Sequence, residues 1–324
     1  STGSPCRYGP VSVEDALAVS SDAFFYKIGE QILTERGYQP ILENEVRKFG
    51  FGSPTNIDLP YEYAGTIPNK ALKKRMADIG AISKESGQAY YVGDQILFSI
   101  GQGLLSATPI QVASAYGVLG NGGNVMQPHV VKAVLAPGTP DIKPGVADIS
   151  FMNIPGSSQV VERFDDEAPT NTLDMTGDRR DPIVRGLQRV IRGPGVNFGS
   201  YHKTTGELLF RGYPYAELPI AGKTGTAQGL GNLPWNDSSA FGAFSLSPRS
   251  EYKYSAFAYL EKSGYGSQAA APVVKCMYVA LAGKYRFDPI NAADPLNTNS
   301  SLAAQPTYLR NPSCLVSGRS ESRD

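Results

Sequence analysis

The stretch Leu218-Pro219-Ile220-Ala221-Gly222-Lys223-Thr224-Gly225-Thr226-Ala227-Gln228 joins a short apolar run to a polar tripeptide. Its composition predicts a strand, which we place at about Glu217 to Gln228. The strand carries an ammonium group on Lys223 and hydroxyl groups on Thr224 and Thr226. Such a group of donors favours the binding of a carboxylate or another anion. The segment therefore predicts an anion-binding edge of a sheet.

Two other interpretations of this segment stay open at this point. A phosphate-binding P-loop requires a glycine five residues before Gly222, but Glu217 occupies that position and no strand-loop-helix pattern continues afterwards. A Lys-Thr-Gly tripeptide is also common by chance, and a turn with a solvated lysine is an equally simple interpretation. A second motif is needed to decide between them.

That second motif is Ser20-Ser21-Asp22, which lies between the helical runs Val13 to Val19 and Ala23 to Gly29. A Ser-x-Asp pair is able to relay protons. The alternative is structural, because Asp22 could instead cap the helix that begins at Ala23. The motif alone does not distinguish the two roles.

The motifs that surround Ser-x-Asp favour the proton-relay role over the capping role. They are Val92-Gly93-Asp94-Gln95, Ser99-Ile100-Gly101-Gln102-Gly103, Ala107-Thr108-Pro109-Ile110-Gln111 and Asn121-Gly122-Gly123. With Ser-x-Asp and Lys-Thr-Gly in this order, the chain from Cys6 to about Lys284 resembles the transpeptidase domain of class B penicillin-binding proteins. Asp22 in place of Asn resembles the elongation-type members usually called penicillin-binding protein 2.

The resemblance implies an α/β (α+β) fold of the penicillin-binding protein and serine β-lactamase type. An antiparallel sheet of five strands is flanked by helices, an all-helical subdomain carries the Ser-x-Asp loop, and the active site lies in the cleft between them. It also implies a peptidoglycan D,D-transpeptidase that works through a serine acyl-enzyme and is inhibited by penicillin. Ser20, Asp22 and Lys223 are then the catalytic residues, while Thr224, Gly225 and Thr226 bind the substrate.

One expected motif is missing. In the family the nucleophilic serine belongs to a Ser-x-x-Lys that precedes Ser-x-Asp by several dozen residues, but only nineteen residues precede Ser20. The strings from Ser200 to Lys203 and from Ser250 to Lys253 fit the pattern. Neither begins an apolar helix that would place the lysine one turn from the serine. We therefore expect a C-terminal fragment that holds no nucleophile and is inactive alone.

The same comparison predicts an incomplete sheet. Three strands are expected here, at about Glu217 to Gln228, Ser239 to Leu246 and Tyr252 to Glu261, followed by a helix from Ala269 to Gly283. The two remaining strands would come from upstream sequence. The strand at Tyr252 to Glu261 should then have an unpaired edge, and the last helix an uncovered apolar face.

The rest of the chain divides by composition. A partial transpeptidase domain is expected over 1–284, with a helical part at about 11–135, an irregular excursion at about 137–181, and the sheet with its covering helix at about 182–284. Helical periodicity is clear in Ile41 to Phe49, Thr108 to Leu119 and Pro182 to Arg192. Residues 285–324 have few apolar positions and predict a disordered tail.

Composition also excludes several classes of function. The 324 residues include 30 Lys plus Arg and 30 Asp plus Glu, so no basic surface for nucleic acid is indicated, and the cluster Lys70, Lys73, Lys74, Arg75 is expected to be a solvated helix face. No apolar run approaches the ~18 residues of a membrane span. Three cysteines, Cys6, Cys276 and Cys314, and two histidines, His129 and His202, have no metal-ligand spacing, and Cys276 is expected in the core.

The implied partners follow from the resemblance. They are peptidoglycan stem peptides, β-lactam antibiotics, the missing N-terminal half of the same protein and a membrane glycan polymerase, with no cofactor. The implied location is the outer face of the bacterial cytoplasmic membrane, with an anchor that is not in this chain. Two alternatives remain: a β-lactamase or β-lactam receptor, and a non-catalytic interaction module that keeps the cleft without the nucleophile.

Overall fold

The computed structural model describes residues 10–137, 159–164, 167–210, 213, 215, 218–229, 237–246 and 253–286. Its α-helices are α1 (Val13–Val19), α2 (Asp22–Arg36), α3 (Ile41–Lys48), α4 (Lys70–Asp78), α5 (Val92–Ser99), α6 (Pro109–Asn121), α7 (Gly177–Arg192) and α8 (Ala270–Arg286). Its strands are β1 (Asn124–Val125), β2 (Ala133–Leu135), β3 (Val160–Arg163), β4 (Asn171–Thr172), β5 (Val196–Asn197), β6 (Tyr201–His202), β7 (Ile220–Ala227), β8 (Ser238–Ser245) and β9 (Ser255–Leu260).

The main sheet has the antiparallel order β7-β8-β9. All three predicted strands are confirmed: β7 and β9 are shorter than expected at both ends, and β8 begins and ends one residue earlier than expected. The core lies between this sheet and α8 and is built from side chains with almost no exposed surface, among them Ile220, Phe241, Val274 and Tyr278. Burial of such large apolar side chains stabilises the fold by about 2 kcal/mol each.

Two features that we expected of an incomplete sheet are present in the described residues. Strand β9 pairs with β8 on one side only. On α8, Val273 is 43% exposed and Met277 is 47% exposed, although the opposite face of the same helix is buried. An unpaired strand edge and exposed apolar side chains are the two features that the sequence analysis expected at these positions.

Helix α6 lies against the sheet and confirms the predicted helix at Thr108 to Leu119. Thr108 and Gln111 form a capping box at its start, Pro109 occupies the first turn, and Gly122 ends the helix in the left-handed conformation with φ 84°. Close contact with the sheet depends on Gly242 of β8, because a Cβ atom there would lie 2.0 Å from the Tyr116 ring.

Helix α1 is fixed against α7. Gly186 of α7 permits this approach, since an added Cβ atom would lie 2.9 Å from the Leu17 side chain. Two ion pairs of 2.7 Å join the same helices, from Arg185 to Glu14 and from Arg189 to Asp15. The helix that precedes the Ser-x-Asp motif is thereby attached to the helix that precedes the sheet.

Helix α7 begins at Gly177, so the prediction that Pro182 starts it was wrong. The first turn is held by Arg179, which bonds Asp174 at 2.7 Å, and by Arg180, which donates to Leu119 O at 2.7 Å. Tertiary contacts of this kind outweigh the loss of one backbone hydrogen bond at a proline. Within the segment expected to be irregular, β3 pairs with β2 and β4 pairs with β1.

The basic cluster on α4 is only partly solvated. Lys73 is 5% exposed, forms an ion pair with Asp94 of α5, and lies 4.4 Å from the centre of the Tyr91 ring. The expectation of a solvated face was therefore wrong for Lys73, because its partner lies 21 residues away in the sequence. This buried pair joins α4 to the start of α5.

The remaining expectations concern the cysteines, Ser250, the C-terminal tail and membrane spans. Cys276 is half-buried and disulfide-bonded, so it is not the small core residue that we expected, and Cys6 and Cys314 lie outside the described residues. Ser250 and most of the expected tail at 285–324 also lie outside them. Of the helices in the described ranges, none combines the length and apolar character needed to cross a bilayer.

Candidate active site

A cleft of about 910 Å³ separates the helical part from the sheet. The start of α2, the loop after α5, strand β7 and the loop between β9 and α8 contribute to its walls. It contains every predicted site residue: Ser20, Asp22, Lys223, Thr224, Gly225 and Thr226. Residues about 200 positions apart in the sequence are thus brought into one concave site, as the resemblance implies.

Ser20 sits at a sharp bend between α1 and α2. It is the C-cap of α1 in the left-handed conformation with φ 57°, and the amide of the buried Ser21 donates to Ala16 O at 2.8 Å. A non-glycine residue in this conformation costs roughly 1–2 kcal/mol. The bend holds the Ser20 hydroxyl in the cleft, opposite the sheet, and strain of this kind is frequent at functional sites.

Lys223 bridges the cleft. Its Nζ donates to Ser20 Oγ at 2.8 Å, to Thr224 O at 2.9 Å and, at the longer distance of 3.4 Å, to Thr224 Oγ1. Loss of hydration by burial lowers the pKa of Lys223 from 10.5 to about 8, and the Asp22 carboxylate opposes part of this effect. The ammonium group is consequently fixed and close to its titration range at neutral pH.

Asp22 is the first residue of α2, and its side chain is exposed. The N-cap of α2 is Ser21, which makes no side-chain capping hydrogen bond. Within the described residues no hydrogen bond to the Asp22 carboxylate is formed, so the capping role is not what the structure shows. The carboxylate instead acts on Lys223 through its charge.

The backbone of β7 presents polar groups to the cleft. Leu246 N–H donates to Pro219 O at 2.7 Å. In the antiparallel register of β7 with β8, every second residue after Pro219 therefore also exchanges backbone hydrogen bonds with β8. Amides and carbonyls of the intervening residues, including Thr224 and Thr226, therefore point away from β8. No described strand pairs with this outer edge of β7.

The loop between β9 and α8 covers part of β7. Gly266 N–H donates to Thr226 Oγ1 at 3.2 Å, and a Cβ atom on Gly266 would lie 2.4 Å from Gly225 O. The buried Ser239 fixes the loop, because its hydroxyl donates to Tyr265 O and accepts from Ala270 N–H, both at 2.9 Å. Thr226 accepts this bond, and among the described residues no acceptor takes its own hydroxyl proton, which is thus available to a ligand.

Sequence analysis did not assign every hydroxyl-bearing residue that lines the cleft, and Thr205 is one that it missed. Thr205 lines it, and its Oγ1 accepts a hydrogen bond of 2.9 Å from Thr224 Oγ1. No motif or periodicity marks this residue, which stands in the string Lys203-Thr204-Thr205-Gly206. Its position depends on how the turn after β6 folds back onto α7.

The Ser-x-x-Lys string at Ser200 does not reach the cleft. Ser200 is exposed and its Oγ lies 3.2 Å from His202 Nε2, while Lys203 is exposed after a short strand. Neither residue lines the cleft. Ser99 does line it, but its hydroxyl donates to Ile96 O at 2.7 Å and lies 3.0 Å from Phe25 O. The position of Ser200 agrees with the expectation that it is not a nucleophile, and the Ser99 hydroxyl is engaged by backbone carbonyls.

A Lys-Thr-Gly edge strand facing a Ser-x-Asp bend across a cleft defines the class of penicillin-recognising proteins. Within that class, residues 1–278 match the model for the penicillin binding protein transpeptidase domain, and the chain belongs to that family.

Individual relatives support the same family assignment. The chain is 29% identical over 280 residues to a Haemophilus influenzae protein named peptidoglycan D,D-transpeptidase MrdA, covering 83% of this chain and 36% of that protein. A structure of Pseudomonas aeruginosa PBP2 in complex with WCK 5153 matches with a TM-score of 0.54 and 26% identity, over 82% of this chain and 48% of the other.

A third match concerns the fold alone. A structure titled for the structural coordination of polymerization and crosslinking by a peptidoglycan synthase complex matches with a TM-score of 0.56 and 21% identity, over 85% of this chain and 37% of the other. The chain spans little more than a third of the length of the curated relative named above.

Proposed function

We propose that this chain provides the proton-relay and carboxylate-binding side of a peptidoglycan D,D-transpeptidase site. The observation that carries the proposal is the 2.8 Å hydrogen bond from Lys223 Nζ to Ser20 Oγ, which joins groups 203 residues apart across the cleft. A substrate that ends in a carboxylate requires a fixed cation and hydroxyl donors. An amine leaving group requires a proton relay.

The reaction is an acyl transfer between stem peptides. A serine outside this chain attacks the carbonyl of the penultimate D-alanine, the terminal D-alanine leaves as an amine, and an amine of a neighbouring stem takes the acyl group. Ser20 passes a proton to the leaving amine. Lys223 holds a positive charge beside Ser20, and the carboxylate of Asp22 stabilises that charge. β-Lactams acylate the same serine because they present a similar carbonyl and carboxylate.

The outer edge of β7 supports this role. The amide of Thr226 points away from β8 and supplies half of an oxyanion hole, a donor that is worth roughly 3 kcal/mol in the transition state. A peptide that lies along the same edge would extend the sheet by one strand. Thr226 and Gly225 thus place the scissile carbonyl, while the hydroxyl groups beside Lys223 receive the carboxylate.

The nucleophile and the remaining strands belong, in our proposal, to an upstream segment of the same protein. The edge of β9 that no described strand pairs with, and the exposed Val273 and Met277 of α8, are the surfaces that such a segment would cover. We further propose the outer face of the cytoplasmic membrane as the location and a membrane glycan polymerase as a partner. The disulfide of Cys276 supports an oxidising compartment.

The test is labelling with a fluorescent penicillin, read by intact mass, for this chain alone and with an added segment that carries Ser-x-x-Lys. We expect no label on this chain and label on the added segment only when both are present. Label on this chain alone would contradict the assignment of the nucleophile. Rapid hydrolysis of the antibiotic would favour a β-lactamase, and absence of label in every mixture would favour a non-catalytic module.

Binding of a carboxylate ligand is expected to decrease above pH 8. The protonated form of Lys223 attracts the carboxylate, and its pKa of about 8 means that this form is lost as the pH rises. By linkage the affinity should fall about tenfold per pH unit above pH 8. Calorimetry with an N-acetylated peptide ending in D-alanyl-D-alanine measures this between pH 6.5 and 9.5. Lys223→Arg should remove the dependence, because arginine stays charged; an unchanged wild-type affinity at pH 9.5 would contradict the prediction.

A further inference from the structure

The disulfide of Cys276 joins α8 to a segment near one end of the chain. Cys276 is half-buried and disulfide-bonded. The sequence has two other cysteines, Cys6 and Cys314, and both lie outside the described residues. The bond therefore ties either the first or the last residues of the chain to this helix, and the described part of the fold decides between them.

Cys276 faces away from the main sheet. Val274 and Tyr278 have no exposed surface and belong to the core between α8 and the sheet. Cys276 stands two residues from each of them, which is about 200° of helical rotation. It therefore lies on the outer side of α8. Beside it on that side are Val273, 43% exposed, and Met277, 47% exposed, which together we call the outer patch of α8.

Cys6 stands too close to α1 to reach that side. Successive residues of β7 point to opposite faces of the sheet. Ile220 belongs to the core that α8 covers, whereas Ala221 belongs to a second cluster against which Leu17 of α1 packs. The two helices therefore lie on opposite faces, and the outer side of α8 is more than ~20 Å from the axis of α1, since a helix with its side chains is about 10 Å across. The stretch from Cys6 to Pro10, the first described residue, spans at most ~14 Å.

The length of the C-terminal tail sets no such limit on Cys314. This cysteine follows Arg286, the last described residue, by about 28 residues, which extend over as much as ~90 Å. The return path from Arg286 to Cys276 along α8 is only about 15 Å at the helical rise per residue. Of the two cysteines, Cys314 is therefore the one that can reach the outer side of α8.

The residues after Cys314 match the exposed apolar residues beside Cys276. Leu315 and Val316 directly follow Cys314 and are the last large apolar residues of the sequence. Two extended residues span about 7 Å, and helix positions three or four apart are separated by about 5–6 Å. A bond between the two cysteines thus brings both apolar side chains within contact distance of the outer patch. Covering an exposed apolar patch also keeps it from associating with other proteins.

We propose that Cys276 and Cys314 form the disulfide and that the segment from Asn311 to Val316 lies on the outer patch of α8. The tail expected to be disordered over 285–324 is then attached to the domain at this segment. The inference goes beyond the proposed function and does not depend on it. It narrows one part of it, because the tail covers α8 and the upstream segment is left with the edge of β9.

Peptide mapping tests the pairing. The full chain, secreted into an oxidising compartment and alkylated at acidic pH, is digested with trypsin without reduction. Cleavage after lysine and arginine releases Cys276 to Lys284, Asn311 to Arg319 and Ser1 to Arg7. We expect the first two peptides to be joined by one disulfide and the third to be alkylated at Cys6. A dithiol transfers two electrons and two protons to the bond, is oxidised to its cyclic disulfide, and should release both peptides as thiols.

Two other results of the mapping would overturn the inference. The first is a link between the peptide from Cys276 to Lys284 and the peptide from Ser1 to Arg7. The second is a link between two copies of the peptide from Cys276 to Lys284, because it would show that the bond joins separate chains. Cys6→Ser should leave the expected link intact.

Oxidation of Met277 tests the covering of the outer patch. Hydrogen peroxide converts methionine to the sulfoxide according to its exposure, and mass spectrometry of the tryptic peptides measures the rate at each site. Leu315→Ser combined with Val316→Ser keeps the disulfide and removes the apolar contacts. We expect Met277 to oxidise about fivefold faster in this variant than in the wild-type chain. Met126 is 42% exposed, lies between β1 and β2, and should oxidise at the same rate in both.

A matched variant controls for the loss of apolar residues from the tail. Leu296→Ser combined with Leu302→Ser makes the same kind of change outside the docking segment and should leave the oxidation rate of Met277 at its wild-type value. Equal rates for Met277 in the wild-type chain and in the variant of Leu315 and Val316 would overturn the docking, because a tail that is bonded but does not contact the patch gives no protection.

Discussion

Replacing Lys223 by methionine is expected to weaken binding of a D-alanyl-D-alanine acid by about 100-fold. Removal of one partner of a desolvated, hydrogen-bonded charge pair has effects of this size. The Lys223 ammonium is also the donor to Ser20 Oγ at 2.8 Å, so the variant loses its link across the cleft. The measurement is calorimetry at pH 7, with the rate of penicillin labelling in the presence of the added segment as a second readout.

The same substitution should not destabilise the fold. Folding lowers the pKa of Lys223 from 10.5 to about 8, so the folded chain binds the proton less tightly than the unfolded chain does. Below pH 8 the protonated lysine therefore costs stability, and methionine removes that cost. Loss of binding with an unchanged or raised melting temperature is the expected pattern, and it is common for residues that serve function at the expense of stability.

Lys27→Met is the matched control, because Lys27 lies on the exposed face of α2 and pairs there with Glu30. It should leave both binding and labelling unchanged. If Lys223→Met bound the acid as tightly as the wild-type chain, the anion-binding role of β7 would be wrong. If it unfolded, Lys223→Arg would still report on the role of the charge.

Local patterns in the sequence predicted the elements that place the site. Apolar alternation located β7, β8 and β9, and the Thr108-Pro109 pair located the start of α6, because these signals depend only on near neighbours. The juxtaposition of Ser20 with Lys223 could not be obtained from such patterns. It followed from the order of motifs in a known family, and the structure places both residues in one cleft.

Other features depended on contacts between distant residues. Thr205 reaches the cleft because the turn after β6 bonds to Val190 O, and Gly266 reaches Thr226 because the loop before α8 folds over β7. In both cases the local sequence is an ordinary loop. Lys73 was misjudged for the same reason, since a charged helix face looks solvated unless its partner on another helix is known.

The ion pair of Lys73 with Asp94 leads to the second large prediction: Asp94→Ala should destabilise the fold by about 3–5 kcal/mol. Lys73 is 5% exposed, so its ammonium group would remain buried without a counter-charge, and the loss of a buried partner has a cost of this size. Asp94 also accepts from Tyr91 N–H at 2.7 Å, which caps the start of α5. The change is measured as the free energy of unfolding in urea.

Two further variants separate the buried charge from other effects of this substitution. Adding Lys73→Met to Asp94→Ala removes the uncompensated ammonium group, so the double variant should be more stable than Asp94→Ala alone. Glu45→Ala breaks the exposed pair of Glu45 with Lys48 on α3 and should cost less than about 1 kcal/mol. Equal losses of unfolding free energy in Asp94→Ala and Glu45→Ala would show that the buried pair contributes no more to stability than an exposed pair.

The pair also matters for the cleft. Helix α5 ends at Ser99, which is close to Phe25 O of α2, and the next residues, Ile100 to Gln102, form one wall of the cleft. Weakening the start of α5 should therefore loosen this wall while Lys223, Thr205 and Thr226 remain on the sheet side. In Asp94→Ala, below its unfolding transition, an N-acetylated peptide ending in D-alanyl-D-alanine should still bind more tightly than the same peptide with its terminal carboxylate converted to a carboxamide. A preference lost together with stability would mean that the helical wall, and not the sheet edge, recognises the carboxylate.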